Sequence, residues 1–186
     1  MAIIIGLDIS LSNSGIVKLD TENNTISKFT IKTHPNPNRM ARLEKFWKIF
    51  LEIIDDYCFG DKVLANKVLF SLEDYSYAIR NSRSLISLAE QGGLIRFHFH
   101  KIGANLQLYA PAEVKKFATG KGNAKKELMI KAVYKKWGFD TNDQNLADGY
   151  VVARLRLAQY ELQNELKQMS DFLEYEKSVL LKYEKR

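Results

Sequence analysis

The chain has 186 residues, 46% of them hydrophobic and 27% charged, the balance of a soluble globular protein with one α/β domain. Cys58 is the only cysteine, which excludes an intrachain disulfide, and no run reaches the about 18 apolar residues that span a bilayer. The net charge of +6 is compatible with a polyanionic partner but does not require one.

Residues 3–8, Ile-Ile-Ile-Gly-Leu-Asp, read as a strand buried on both faces. The stretch Met1 to Ser10 lacks the basic flank and small-residue cleavage site of a secretory leader, so the expected location is the cytoplasm. The small polar stretch Ser10 to Ser14 predicts a turn, Gly15 to Leu19 a second strand, and Thr25 to Ile31 a third after the turn at 21–24. Three strands with short turns make an antiparallel meander. After the breaker loop around Pro35 and Pro37, Leu43, Phe46, Trp47, Phe50, Leu51 and Ile54 recur at helical spacing, predicting a helix from about Arg39 to Tyr57. Cys58, at its apolar end, reads as a small core residue.

Gly60-Asp61 punctuates the chain before a fourth strand at 68–73, which ends in Glu73. Asn81 or Ser82 is placed to cap a helix that carries Gly92-Gly93 in its interior. Two interior glycines cost up to about 1 kcal/mol each relative to alanine. They point either to close approach by another element or partner chain, or to a simple kink. Leu106 to Tyr109 predicts a fifth strand, and Pro111 suits a first helical turn. Lys-rich helices follow, separated by the loop at 120–123, and Gly138 ends the second. Thr141-x-x-Gln144 has the form of a capping box for a last long helix. Beyond Tyr160 an apolar rhythm continues through Leu162, Leu166, Met169, Leu173, Val179 and Leu180. The expected architecture is a mixed five-stranded α/β sheet, three meander strands plus two parallel strands, flanked by helices.

Asp8 and Glu73 each end a strand, and Asp148 sits just past the first turn of the last long helix. A carboxylate at a buried strand end is costly unless a cation or hydrogen bonds offset its desolvation. Hard divalent cations favour such oxygens, and the set suits two-metal phosphodiester hydrolysis. Taken singly, a strand-end acid is more often a cap or a salt-bridge partner than a metal ligand.

Several motifs then occur in order. Gly6-Leu7-Asp8-Ile9-Ser10 with Ser14-Gly15, and Leu72-Glu73-Asp74-Tyr75-Ser76-Tyr77-Ala78, resemble the first- and fourth-strand motifs of the RuvC family of Holliday-junction resolvases. The stretch 81–93 is similar to the helix that follows in that family. Residues 109–116 and 120–126 resemble its fifth strand and basic segment, and residues 145–150 its terminal acidic helix. The likeness runs over about residues 3 to 157.

It implies an RNase H-like fold and a homodimeric endonuclease that nicks four-way or related branched DNA in pairs. Asp8, Glu73 and Asp148 would be the catalytic metal ligands, holding two magnesium ions, with manganese able to substitute. The family usually has Asp or His three residues before the last acid; this chain has Asn145, counted with the metal-site residues as a neutral ligand. The variant resembles the bacteriophage branch, which would place the protein in a host cytoplasm. Residues 1–160 would form the nuclease domain and 161–186 a C-terminal helical extension of it.

Between Pro111 and Lys136, eight Lys stand against two Glu. Lys115, Lys116, Lys121, Lys125 and Lys126 read either as a solvated basic face or as a phosphate-tracking surface, which the resemblance favours. Tyr75 and Tyr77 read as stacking residues for an unpaired base or as core packing. His98 and His100 lack partners at metal-ligand spacing and read as structural. Two alternatives remain: a non-cutting junction-binding protein of the same fold, and a nucleotide-binding lobe of the sugar-kinase or chaperone type.

Overall fold

The computed structural model describes residues 2–10, 12–58, 68–75 and 82–183, with the side chains of all of these but 55–58 and 82–84. The expectations for the Cys58 side chain, the cap at Asn81 or Ser82, the Gly60-Asp61 punctuation and Tyr77 lie outside what is described.

Strands β1 (Ile3–Asp8), β2 (Asn13–Asp20) and β3 (Thr25–Lys32) form the antiparallel meander. Strand β4 (Val68–Glu73) runs parallel to β1, and β5 (Asn105–Tyr109) parallel to β4, giving the order β3-β2-β1-β4-β5. This is the mixed five-stranded sheet expected from the sequence. The second strand starts earlier than predicted, at Asn13, because the polar turn is itself hydrogen-bonded. The Ser10 hydroxyl donates to the Asn13 carbonyl at 2.8 Å and accepts from its N–H at 3.1 Å.

Helices α1 (Arg39–Cys58) and α2 (Ser82–Lys101) cover one face; α3 (Pro111–Thr119), α4 (Lys126–Trp137), α5 (Gln144–Gln163) and α6 (Glu174–Leu180) cover the other. The strands alternate between two cores. Ile4, Val17, Leu19 and Leu69 join the α3–α6 side, while Ile5, Leu7, Ile16, Phe70 and Leu72 join Phe46, Phe50, Ile95 and Phe99 on the α1–α2 side. The unbroken apolar run of β1 is therefore a consequence of burial on both faces. His98 packs edge-on to Trp47 with ring centroids 4.9 Å apart, a structural role. Among the described residues no helix is long and apolar enough to cross a membrane.

Helix α5 lies directly on β1 and β2 because glycine removes the side chains that would hold it off. A Cβ on Gly6 would collide with the Gly149 carbonyl and come within 2.5 Å of the Ala153 nitrogen. One on Gly15 would collide with the Asn145 carbonyl. The start of α5 corrects one expectation. The cap is not a Thr141/Gln144 box: the Asp143 carboxylate accepts from the Asn145 N–H at 2.8 Å and the Leu146 N–H at 3.4 Å. Thr141 instead accepts from the Asp143 N–H at 3.1 Å, one step outside the helix.

Beyond α5 the chain reverses through Glu165, at φ 57°, and a short 3₁₀ turn at Met169–Asp171. Then α6 docks against α3. Val179, Leu180 and Tyr183 are buried in the α3–α6 core, and the Tyr183 ring meets Tyr109 edge-on at 4.9 Å. The Tyr183 hydroxyl donates to the Glu113 carboxylate, Lys182 pairs with Glu113 at 2.9 Å, and Lys136 pairs with Glu176.

Candidate active site

Parallel pairing of β1 with β4 sets Leu7 opposite Leu72, so the next residues, Asp8 and Glu73, end the two central strands side by side. The glycine-lined descent of α5 brings Asp148 over them. One carboxylate oxygen from each of Asp8, Glu73 and Asp148 lies within 4.8 Å of the others. Asp148 is 6% exposed, and its Oδ1 is buried without a hydrogen-bond partner among the described residues.

All three acids hold their protons more tightly than an ordinary carboxylate, burial being the first cause in each. Burial, then the charges of Glu73, Asp148 and Asp143, hold Asp8 well above the usual carboxylate range, with Lys126 opposing. Burial and the Asp148 charge push Glu73 to about 8 against the pull of Lys115. Burial raises Asp148 to about 6, opposed by a hydrogen bond from Gln144 and by Lys115 and Lys126. Like charges held in a desolvated cleft favour either protons or cations. A divalent ion answers both the repulsion and the orphaned Asp148 oxygen, so these residues fit a hard cation.

Asp8 and Glu73 open into a cleft of about 190 Å³, whose walls include Asp74, Tyr75, Gly92, Arg96 and Lys115. Lys115, on α3, is thus at the site itself. Lys126 opens α4 near enough to act on Asp8 and Asp148. Lys121 and Lys125 are exposed on the turn between α3 and α4, and Lys116 is half-buried. The Tyr75 ring is covered on one side by the Arg96 guanidinium at 4.2 Å, and its hydroxyl donates to the Ala89 carbonyl at 3.2 Å. Arg96 in turn pairs with Asp74 at 2.5 Å. Asn145 donates its side-chain N–H to the Asn13 carbonyl at 2.6 Å.

Sequence reasoning passed over three features. Arg96 has no motif signal. Gln144 was absorbed into the supposed capping box, although it stands four residues before Asp148 and so on the same helix face. The pairing of Gly6 and Gly15 with Gly149 did carry a signal, since each glycine flanks or falls within an acidic motif.

The family model for crossover junction endodeoxyribonuclease RuvC matches residues 4–154. A RuvC from Brachyspira hyodysenteriae is 25% identical over 168 residues, covering 89% of this chain and 99% of that protein. One from Ehrlichia canis is 29% identical over 126 residues, covering 67% of this chain and 75% of that protein. Among solved structures, Thermus thermophilus RuvC in complex with a Holliday junction substrate superposes with a TM-score of 0.65 at 18% identity, over 82% of this chain and 91% of that one. That likeness extends the shared fold to a protein of known structure. With its sheet order, its strand-end acids and a match over residues 4–154, this chain belongs to the RuvC family.

Proposed function

We propose that the chain is a divalent-metal-dependent endonuclease that cleaves four-way DNA junctions by paired phosphodiester hydrolysis. The observation that carries this is the set of three carboxylates gathered within 4.8 Å at the strand ends, in a chain of this family. When bound, two magnesium or manganese ions would supply a water of lowered pKa and charge stabilisation at the leaving 3′ oxygen. Asp8, Glu73 and Asp148 hold that charge in place. Lys115, beside Glu73, and Lys126, near Asp8, partly balance the acids and face the polyanion as it enters. Lys116, Lys121 and Lys125 extend this cationic side away from the cleft. Tyr75 forms the wall beside Glu73, held there by Arg96 and Ala89.

Paired nicks need two sites related by a two-fold axis, hence a homodimer. The surface suited to the second copy is the outer face of α2, where Ile86 is 49% and Phe97 62% exposed and a Cβ on Gly93 would meet nothing within 4 Å. A non-cutting junction binder has no need to keep three mutually repelling acids in a desolvated cleft. A nucleotide-binding lobe is disfavoured by the family match.

The test is a labelled four-way junction incubated with the protein in magnesium, in manganese and in chelator. Paired nicks in either metal and none in chelator are expected. Binding without nicking in both metals would leave the non-cutting alternative.

A further inference from the structure

The family pattern draws attention to the position three residues before the last acid, here Asn145. Its side-chain N–H is engaged in docking the helix rather than with an acid of the site. Asn145 donates to the Asn13 carbonyl at 2.6 Å. Asn13 donates its own amide to Asp143 Oδ2 at 3.1 Å, and Asp143 Oδ1 caps α5. These three side chains fasten the N-terminus of α5 to the start of β2. Asp143 is thereby accounted for as well: it lies near enough to raise the proton affinity of Asp8, yet both its oxygens accept hydrogen bonds.

The residue that touches an acid of the cleft is Gln144. Its Nε2 donates to Asp148 Oδ2 at 3.2 Å. Only the NH₂ end of an amide can face an ionised carboxylate, so the contact fixes the orientation of both groups. Asp148 Oδ1 is left buried and without a hydrogen-bond partner among the described residues. The two oxygens of one carboxylate thus have different surroundings, one held by a neutral donor and one with no hydrogen bond of its own among the described residues.

We infer that Gln144 is the positioning residue of the metal centre: it pins Oδ2 of Asp148 and leaves Oδ1 as the ligand oxygen, a task that Asn145 does not share. The inference rests on the proposed metal-dependent function. The arrangement has a general rationale, since hydrogen bonds from outer groups hold metal ligands in one orientation, and losing one costs about 10- to 100-fold in metal affinity. Asparagine one residue later can then be spent on docking the helix without emptying the site.

The experiment is calorimetric titration of Mn²⁺ into the metal-free protein without DNA, comparing wild type, Asp8→Asn, Gln144→Met and Asn145→Ala. Methionine keeps the length of glutamine and removes the donor. Gln144→Met is expected to weaken Mn²⁺ binding by about 10-fold, while Asn145→Ala, read at a temperature where the variant is fully folded, changes it by less than about 2-fold. In cleavage assays the Mn²⁺ concentration for half-maximal rate should rise in Gln144→Met while the rate at saturating metal is retained, a split that general destabilisation does not produce. Unchanged or tighter Mn²⁺ binding by Gln144→Met overturns the inference, as does a larger loss in Asn145→Ala. If wild type binds no Mn²⁺, or Asp8→Asn binds as well as wild type, the metal-site reading itself fails. If wild type binds, Asp8→Asn does not and Gln144→Met does, only the role of Gln144 falls.

Discussion

The acid cluster at the strand ends and the C-terminal tail have opposite energetics. The cluster gathers Asp8, Glu73 and Asp148, with Asp148 Oδ1 lacking a hydrogen-bond partner among the described residues, and each of these three acids is pushed toward its protonated form. The tail buries Val179, Leu180 and Tyr183 and satisfies Glu113 and Glu176 with Lys182, Tyr183 and Lys136. One region stores unfavourable free energy that a ligand can release; the other contributes stability. The difference separates residues held for chemistry from residues held for the fold.

Two substitutions should split the regions most sharply. Asp8→Asn keeps the shape of the side chain and removes one of three repelling charges. Junction cleavage should fall below detection with junction binding retained, and the metal-free protein should gain stability in denaturant titration. Leu180→Ala, at a residue 1% exposed, should lose about 2–5 kcal/mol of stability while cleavage per folded molecule, measured well below the melting midpoint, stays near wild type. An Asp8→Asn protein that cuts normally, or a stable Leu180→Ala protein that does not cut, would erase the distinction.

A smaller effect follows from pH. Glu73 rises to about 8 and Asp148 to about 6 in the folded protein, above the usual values of 4.5 and 3.8. The folded state therefore holds protons that the unfolded chain has released. Stability of the metal-free protein should fall as pH rises from about 4.5 to about 8, at up to about 1.4 kcal/mol per pH unit for each group still protonated. Saturating Mn²⁺ should flatten or reverse the slope, because the ion binds the deprotonated acids and displaces their protons. Melting curves at pH 5, 6, 7 and 8 with and without metal read this directly; a metal-free protein more stable at pH 8 than at pH 5 would contradict it.

The sheet was legible because its strands are short, apolar and bounded by turns, and because β1 and β4 each end in an acid. The antiparallel meander follows from that local pattern, whereas the convergence of Asp8 with Glu73 depends on the long-range parallel pairing of β1 with β4. The start of α5 was less legible. Asp143, Gln144 and Asn145 are all polar and adjacent, and sequence spacing alone does not say which caps, which docks and which reaches Asp148. That choice is made by Asn13, 130 residues from Asp143 along the chain. The docking of the tail was hidden for the same reason. Its apolar rhythm was visible, but the partners of Tyr183 and Glu176, namely Tyr109, Glu113 and Lys136, come from earlier elements.

The basic side offers a graded test. If Lys121, Lys125 and Lys126 contact phosphate, each alanine replacement should lower the slope of log affinity against log salt by about one unit. The triple variant should weaken binding to all junction sequences alike. In the cleavage-dead Asp8→Asn background the slope can be measured without turnover. An unchanged slope in the triple variant would mark these lysines as a solvated face and leave Lys115 and Lys126 as electrostatic partners of the acids alone.

The smallest predicted effects come from two adjacent glycines that the sequence could not tell apart. A Cβ on Gly92 would lie 2.5 Å from the Tyr75 hydroxyl and 2.9 Å from its ring, whereas one on Gly93 would meet nothing within 4 Å. Gly92 thus serves the cleft wall and Gly93 the outer face of α2. Gly92→Ala should displace Tyr75, loosen the Arg96–Asp74 pair beside Glu73 and reduce cleavage, with self-association unchanged. Gly93→Ala removes only backbone freedom within one protomer and should stabilise an isolated chain by about 0.5–1 kcal/mol. If a second copy packs its helix over Gly93, between exposed Ile86 and Phe97, the same methyl group obstructs close approach, and sedimentation should show weaker dimerisation although each protomer melts higher. A dimer unaffected by Gly93→Ala and by Phe97→Asp would place the two-fold interface elsewhere on the molecule, and a wild-type monomer with junction bound would remove the geometric basis for paired nicks.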